Sequence, residues 1–115
     1  MLNHEPAAAK VFQALADPTR LAIVDRLSHG GASVSELAKP FDISLAGIVQ
    51  HVQALEAAGL VVTKKSGRTR LCRINPGALR AAESWIARRR QFWERQFDQL
   101  AAGIDEEVVD SSEEH

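Results

Sequence analysis

The chain has 115 residues, 45% of them hydrophobic, which is enough for one small domain with its own core. The net charge of −1 and the single cysteine argue against a uniformly basic protein and against a disulfide scaffold. No stretch is apolar enough to span a membrane, and residues 1–9 lack the apolar segment of a signal peptide, so we expect a cytoplasmic protein.

The first two helices are predicted from their start signals. Pro6 can open the first helix, and Asp17 followed by Pro18 gives the second an N-cap and a proline at its first position. The pair Gly30-Gly31 should end the second helix. Apolar residues at helical spacing, which we expect to be buried, are Ala9, Phe12, Leu15, Ala16, Leu21, Ile23, Val24 and Leu27.

A pair of helices joined by a short turn is predicted next. Ser33 and Glu36 have the S-x-x-E spacing of a capping box, so a short helix should begin after Ser33. Ser44 caps a second helix over about residues 44–58, which Gly59 closes in a left-handed conformation. The predicted buried stripe of this second helix contains Leu45, Ile48, Val52 and Leu55.

A β-hairpin with a basic tip follows. Gly67 can supply the positive backbone angle of a tight turn. Four cations lie within seven residues, where they repel one another: Lys64, Lys65, Arg68 and Arg70. The cluster favours an anionic partner, although charge on strands also serves solubility. Cys72 shares strand parity with Ile74 and is expected to face the core as a small hydrophobe.

A helix-turn-helix followed by a basic hairpin is typical of a winged helix-turn-helix fold, mainly α-helical with a small β-hairpin. The second helix would enter the major groove of double-stranded DNA, and the wing, residues 63–70, would contact phosphates. Arg20 either contacts phosphate or ties its helix to the core, and we favour the tie. The residues predicted to contact DNA are Ser44, Leu45, Ala46, Gly47, Val49, Gln50, Gln53, Lys64, Lys65, Arg68 and Arg70.

The last predicted helix, from Pro76 to about Ile104, has more apolar surface than one face of a lone helix would bury. Large aromatic side chains on a terminal helix favour a surface that contacts a partner, the alternative being that they cover their own domain. The residues of this helix predicted to lie in that surface are Leu79, Trp85, Ile86, Phe92, Trp93, Phe97 and Leu100.

The charge of the chain is unevenly distributed. Residues 105–115 contain six acidic residues and no lysine or arginine, so residues 1–104 hold 14 basic and nine acidic residues, a balance of +5. We predict a folded domain over residues 1–104 and a disordered acidic tail over residues 105–115. The tail either only solubilises the protein or competes with DNA for the basic surface.

Taken in order, these motifs resemble the ArsR-type winged-helix transcriptional regulators. The resemblance covers about residues 8–100, and it implies a homodimeric, sequence-specific DNA-binding regulator, most often a repressor. In that family the terminal helices pack the homodimer, often together with the first helix, so the resemblance implies that the apolar surface of the last helix and Phe12 form the dimer interface. The motifs that carry it are Leu15-Ala16-Asp17-Pro18-Thr19-Arg20-Leu21, Ser35-Glu36-Leu37-Ala38, His51 with Leu55, Ala58-Gly59-Leu60-Val61, Gly67-Arg68, and Asn75-Pro76 with Leu79.

The effector sites of that family are not reproduced in this chain. Residues 34–39 have no cysteine pair for a soft metal, and residues 76–104 have no histidine. One cysteine cannot close a disulfide within a chain. The resemblance therefore implies no metal and no cofactor, and the effector is unknown.

Two alternatives to a DNA-binding repressor of this kind are open. The winged helix could serve protein contacts without specific DNA binding, or Cys72 could make the regulator redox-responsive through a disulfide between subunits. An enzyme is not expected, because the chain has no glycine-rich phosphate loop, G-x-S-x-G, H-E-x-x-H or zinc-binding cysteine pair. His51 is expected to be packed and hydrogen-bonded rather than catalytic.

Overall fold

The computed structural model describes residues 6–111, and it describes the side chains of residues 6–103. The fold is the predicted winged helix-turn-helix, mainly helical with a small sheet. It divides into a first unit that ends at Glu83 and a second that begins at Ser84. The elements are α1 (Pro6–Leu15), α2 (Pro18–Leu27), β1 (Ala32–Ser33), α3 (Val34–Ala38), α4 (Leu45–Ala57), β2 (Val61–Ser66), β3 (Thr69–Ile74) and α5 (Pro76–Ser111).

The predicted helix starts are confirmed. The carboxylate of Asp17 accepts hydrogen bonds from the backbone at the start of α2, and Ser33 and Glu36 form the reciprocal capping box of α3. The hydroxyl of Ser44 caps α4, and Gly59 ends it with a φ of 80°. These polar contacts fix where each helix begins, because they satisfy backbone N–H groups that have no partner within the helix.

The hairpin belongs to an antiparallel sheet of three strands in the order β1-β3-β2. Gly67 has a φ of 63° at the turn between β2 and β3, as predicted. The third strand, β1, was not predicted from the sequence. It has only two residues, which pair with Leu71 and Cys72 of β3.

The core lies in the first unit, and part of the predicted burial is wrong. Ile48, Val52 and Leu55 are fully buried in α4, but Leu45 is 52% exposed, and in α2 Leu21 is 53% exposed. Leu45 lies in the first turn of α4, at the edge of its buried face. Leu21 lies about 120° around α2 from the middle of the face formed by Ile23, Val24 and Leu27, so that face turns it toward solvent. The residues that α1 and α2 do bury are Ala8, Val11, Ala14, Ile23, Val24 and Leu27.

The buried face of α1 is rotated from its predicted position. Ala9 and Ala16 are exposed, while Phe12 and Leu15 are only partly buried against the core. The predicted stripe lies one residue C-terminal to the true one, which places its members at the edge of the contact. Alanines on both sides of the helix make the two stripes hard to distinguish by hydrophobicity.

The last helix is longer than predicted. It continues to Ser111 instead of ending near Ile104, and no proline interrupts residues 77–111. Residues 112–115 lie outside the described residues. The division into a domain over 1–104 and an acidic tail over 105–115 stays a prediction.

Candidate nucleic-acid interface

The start of α4 is held tightly by the turn that precedes it. The Oγ atom of Ser44 accepts a hydrogen bond from the backbone N–H of Gly47 at 3.0 Å. A Cβ atom added at Gly47 would lie 2.7 Å from Cγ2 of Ile43, closer than real side chains approach. Glycine at this position therefore lets the turn pack directly against the first turn of the helix.

Most of the α4 residues predicted to contact DNA are accessible. Ser44, Leu45, Ala46, Gln50 and Gln53 are exposed along one side of the helix. Exposed glutamines can form paired hydrogen bonds with adenine, and exposed apolar groups such as Leu45 can contact the methyl group of thymine.

Two predicted contact residues of α4 are less accessible than the rest. Gly47 is partly buried beneath the turn, and Val49 is partly buried against the core. Val49 therefore supports the position of the helix at the same time as it borders the exposed side. Val49 therefore has less surface available for its predicted contact with DNA than the exposed residues of the set.

The four cations of the wing are all exposed. Lys65 lies directly opposite Arg70 in the pairing of β2 with β3, and Lys64 lies opposite Leu71 on the other face of the hairpin. Like charges directly across a strand pair are destabilising, so an anion bound near Lys65 and Arg70 would relieve repulsion. Arg68 lies in the turn itself.

Two contacts that the sequence did not reveal join the wing to the helices. The hydroxyl of Thr63 in β2 donates a 2.8 Å hydrogen bond to the carboxylate of Glu56 in α4. The side-chain amide of Asn75 donates to the carbonyl of Gly59 at 2.9 Å, and its backbone N–H donates to the carbonyl of Leu60 at 2.8 Å. The wing and the end of α4 are therefore fixed to each other and to the start of α5.

Asp17 is the centre of a polar network at the start of α2. Its Oδ2 atom accepts the backbone N–H groups of Thr19 at 2.9 Å and Arg20 at 3.1 Å. The hydrogen bond from the Arg20 backbone lowers the pKa of the Asp17 carboxyl, and nearby His51 acts in the same direction. The Nδ1 atom of His51 lies 3.8 Å from that carboxylate, at ion-pair rather than hydrogen-bond distance. His51 is partly buried, as its predicted packing requires, but its contact with Asp17 is an ion-pair distance and not the predicted hydrogen bond.

The predicted structural role of Arg20 is confirmed. Its Nε–H donates a 2.6 Å hydrogen bond to the carbonyl of Ala14 near the end of α1. The guanidinium therefore ties α2 to α1.

Cys72 faces the core, as expected from strand parity. It is fully buried, and burial raises the pKa of its thiol, which disfavours the reactive thiolate. Among residues 6–103, no three histidine, cysteine, aspartate or glutamate side chains lie close enough together to hold a metal ion.

The second unit presents large apolar side chains to solvent. In α5, Trp93 is 59% exposed and Phe97 is 70% exposed; Ile86, Phe92 and Leu100 are also exposed. Trp85 is partly buried, with the guanidinium of Arg89 at 4.5 Å from its ring. The remaining predicted interface residues, Phe12 and Leu79, pack against the core of the first unit.

None of the described helices combines the length and the apolar character that a membrane crossing requires.

The comparisons with known sequences point to DNA-binding regulators. Residues 15–64 match a family model described as a helix-turn-helix domain. The chain is 38% identical to the HTH-type transcriptional regulator Rv2034 of Mycobacterium tuberculosis, across 89% of this chain and 92% of that protein. It is 30% identical to the transcriptional repressor SdpR of Bacillus subtilis, across 66% of this chain and 84% of that protein.

Solved structures with the same fold agree with these relatives. One is an ArsR family transcriptional regulator, RHA00566, with 46% identity and a TM-score of 0.75 over 82% of this chain and 97% of that one. Another is the winged helix-turn-helix DNA-binding domain of Mb0332 from Mycobacterium bovis, described as homodimeric. It has 27% identity and a TM-score of 0.57 over 96% of this chain and 89% of that one.

Proposed function

The chain belongs to the ArsR family of winged helix-turn-helix transcriptional regulators, and from this premise we propose that it represses transcription by binding an inverted-repeat operator as a homodimer. The observation that carries the proposal is the exposed side of α4, held by a tight turn and joined to a cationic wing. In this arrangement α4 enters the major groove and the wing contacts the adjacent phosphates.

Base recognition is assigned to the exposed side of α4. Gln50 and Gln53 supply amides for base edges, and Leu45 and Ala46 supply small or apolar surface for thymine methyl groups. Gly47 contributes by its size, because any larger residue would have to displace the side chain of Ile43 in the turn before the helix. Lys64, Lys65, Arg68 and Arg70 supply the contacts that do not depend on sequence.

A homodimer is supported by the apolar side chains of α5 and by the homodimeric relative. Exposed aromatic side chains such as Trp93 and Phe97 are costly to leave in water and are enriched in protein interfaces. A two-fold axis would place two copies of α4 in successive major grooves, which explains an operator with inverted half-sites.

Repression follows from occupancy of a promoter, because a dimer bound there excludes the polymerase. A small-molecule effector would release the operator only if it bound the DNA-incompetent state more tightly than the DNA-bound one. We place this activity in the cytoplasm and assign the chain no catalytic role.

The proposal is tested by fluorescence-anisotropy titration of the purified chain with DNA from just upstream of its coding region. Random DNA is titrated in parallel at several salt concentrations. We expect a preference of roughly 10³ or more for the upstream DNA, with an affinity that falls steeply as salt rises. If neither that DNA nor any sequence from a random-pool selection binds preferentially, the winged helix serves another partner.

The wing is tested by substitution in the same assay. Lys65→Ala and Arg68→Ala should weaken binding to all sequences alike, and each should reduce the salt slope by about 1. Arg80→Ala removes an exposed cation from the start of α5 and is the matched control. A loss confined to the preferred site would show that the wing reads bases rather than phosphates.

A further inference from the structure

A cleft of about 440 Å³ lies within the first unit, between α1, the start of α2 and the C-terminal end of α4. Its volume exceeds that of a single aromatic ring with one acidic substituent. On the side of α1 and α2 it is lined by two cations and one amide, and on the side of α4 by alanines. These residues are Lys10, Gln13, Arg20, Ala54, Ala57 and Ala58. No aspartate or glutamate is among the described residues that line it.

The guanidinium of Arg20 is a preorganised part of this cleft. It is partly buried, and its Nε–H is fixed on the carbonyl of Ala14 at 2.6 Å. Its two terminal nitrogens donate no hydrogen bond to any residue in the described part of the chain. A planar guanidinium held in this way can receive a carboxylate or phosphate through paired hydrogen bonds with little further loss of entropy.

The charges of Asp17 and Arg20 attract each other, but the two side chains form no ion pair by direct contact. Asp17 is engaged by the backbone N–H groups of Thr19 and Arg20, and it does not line the cleft. Lys10 adds a second, exposed positive charge, and Gln13 adds an amide that can donate to an anion. The charge of the cleft lining is therefore positive.

The opposite wall is apolar. Ala54, Ala57 and Ala58 present small side chains. Carbonyl groups at the end of α4 accept hydrogen bonds from within the chain, including that of Ala54 from the N–H of Ala58 and that of Gly59 from Asn75. Since the carbonyl of Ala54 is occupied, its repulsion of an anion is reduced. The cleft thus suits a molecule with an acidic group at one end and an apolar body.

The cleft lies at the end of α4 opposite to the turn that begins it. Ala57 is twelve residues beyond Leu45, which corresponds to about 18 Å along the axis of α4, although Ala54 directly follows Gln53, the last α4 residue assigned to DNA. A molecule bound there would contact α1 and the far end of α4 together, and so influence how α4 is held.

We propose that this cleft binds a small organic anion, a carboxylate or phosphate monoester with an apolar body, and that the bound anion changes the affinity of the protein for DNA. The first half of the proposal is independent of the operator. The second half rests on the proposed function.

Binding is tested by amide chemical-shift titration of the full chain. The probes are benzoate, phenyl phosphate and, as the neutral control, benzyl alcohol. We expect saturable shifts at Lys10, Gln13, Ala54 and Ala57 with dissociation constants of about 1 mM for at least one anion, and at least tenfold weaker binding of the alcohol. Benzoate and phenyl phosphate distinguish carboxylate from phosphate recognition. Equal binding of the alcohol, or shifts elsewhere only, would overturn the proposal.

The position of the site is tested by matched variants of one exposed residue. Ala57→Glu places a carboxylate in the cleft and should weaken binding of the anion at least tenfold, whereas the isosteric Ala57→Gln should change it less than threefold. Both residues favour helix, so the fold should be kept, which the unchanged shifts of β2 and β3 would verify. Equal effects of the two variants would show that the anion binds by shape or at another place.

Regulation is tested by repeating the operator titration with saturating anion. We expect a change of at least fivefold in the affinity for operator DNA in the parent protein and in Ala57→Gln, and none in Ala57→Glu. If anion binding is seen without any change in DNA affinity, the regulatory half is wrong. If no DNA is bound specifically in the absence of anion, the proposed function fails while the shift titration still decides the site.

Discussion

Gln50 is the residue from which base recognition in α4 is most directly predicted, because it is exposed and lies on the side of the helix assigned to the groove. Replacing it with alanine should cost about 1–3 kcal/mol on the preferred operator and little on random DNA. Anisotropy titrations of both DNAs measure the difference. Gln91→Ala, an exposed glutamine of α5, is the matched control. Equal losses on both DNAs would mean that Gln50 contacts the backbone rather than bases.

Cys72 decides whether the redox alternative has a chemical basis. The thiol is fully buried in β3 and its pKa is raised by that burial, so we expect it to react with iodoacetamide only after denaturant is added. Mass spectrometry of the native and denatured protein provides the measurement. Rapid labelling of the native protein would show that the Cys72 thiol is accessible, and it would support regulation through a disulfide between subunits.

At the scale of elements, the capping box of α3 shows how few residues define the helix-turn-helix. Ser33→Ala removes the acceptor for the backbone N–H of Glu36, and we expect a loss of about 1 kcal/mol in the free energy of unfolding. Chemical denaturation measures this loss. The control is Ser35→Ala, two residues further along in the first turn of α3. Ser35 makes no capping contact, so this variant should lower the free energy of unfolding by less than half as much. Similar losses in the two variants would remove the cap as the cause.

The starts and ends of these helices were predictable because local chemistry determines them. Asp17, Ser33 and Ser44 satisfy backbone groups within three residues of themselves, so the sequence alone contains the interaction. The two-residue strand β1 was not predictable, since it exists only through pairing with β3, about forty residues away along the chain.

The buried faces were predicted less well than the ends. Leu21 and Leu45 are apolar and at helical spacing, yet the packing of the helices leaves them exposed. Hydrophobicity gives the period of a stripe, while its rotation depends on where the neighbouring helix lies. The candidate DNA contacts show the same division: the cations of the wing were evident from their sequence, while the partial burial of Val49 depends on packing in three dimensions.

At the scale of the whole molecule, the apolar side chains of α5 bear on the oligomeric state. Phe97→Asp places a charge where an apolar contact is proposed, and it should raise the dimer dissociation constant at least tenfold, equivalent to about 1.4 kcal/mol. Sedimentation equilibrium measures the constant. Gln91→Asp introduces the same charge on the other side of the helix and should have little effect. A dimer unaffected by Phe97→Asp would exclude this residue from the interface.

The cleft between α1 and α4 could not be found from the sequence, although each of its residues is plain to see there. Lys10 and Arg20 lie on different helices, and Ala57 is more than thirty residues from either. Only the packing of the helices places two cations opposite a wall of alanines. The proposed anion site is thus a property of the assembled domain, whereas the proposed DNA contacts come largely from one helix and one hairpin.

The hydrogen bonds of Asn75 restrict where two related proteins can be joined to make a functional chimaera. This one residue is bonded to Gly59 and Leu60, at the junction of α4 and β2, and its side chain also accepts the N–H of Gly77. A chimaera joined between β3 and α5 would divide this cluster between two parents. A crossover at Ser84, where the second unit begins, would leave it intact. The terminal segment is therefore interchangeable as a module only beyond the first two turns of α5. A functional exchange has to keep these two turns together with the helix-turn-helix and wing to which Asn75 links them.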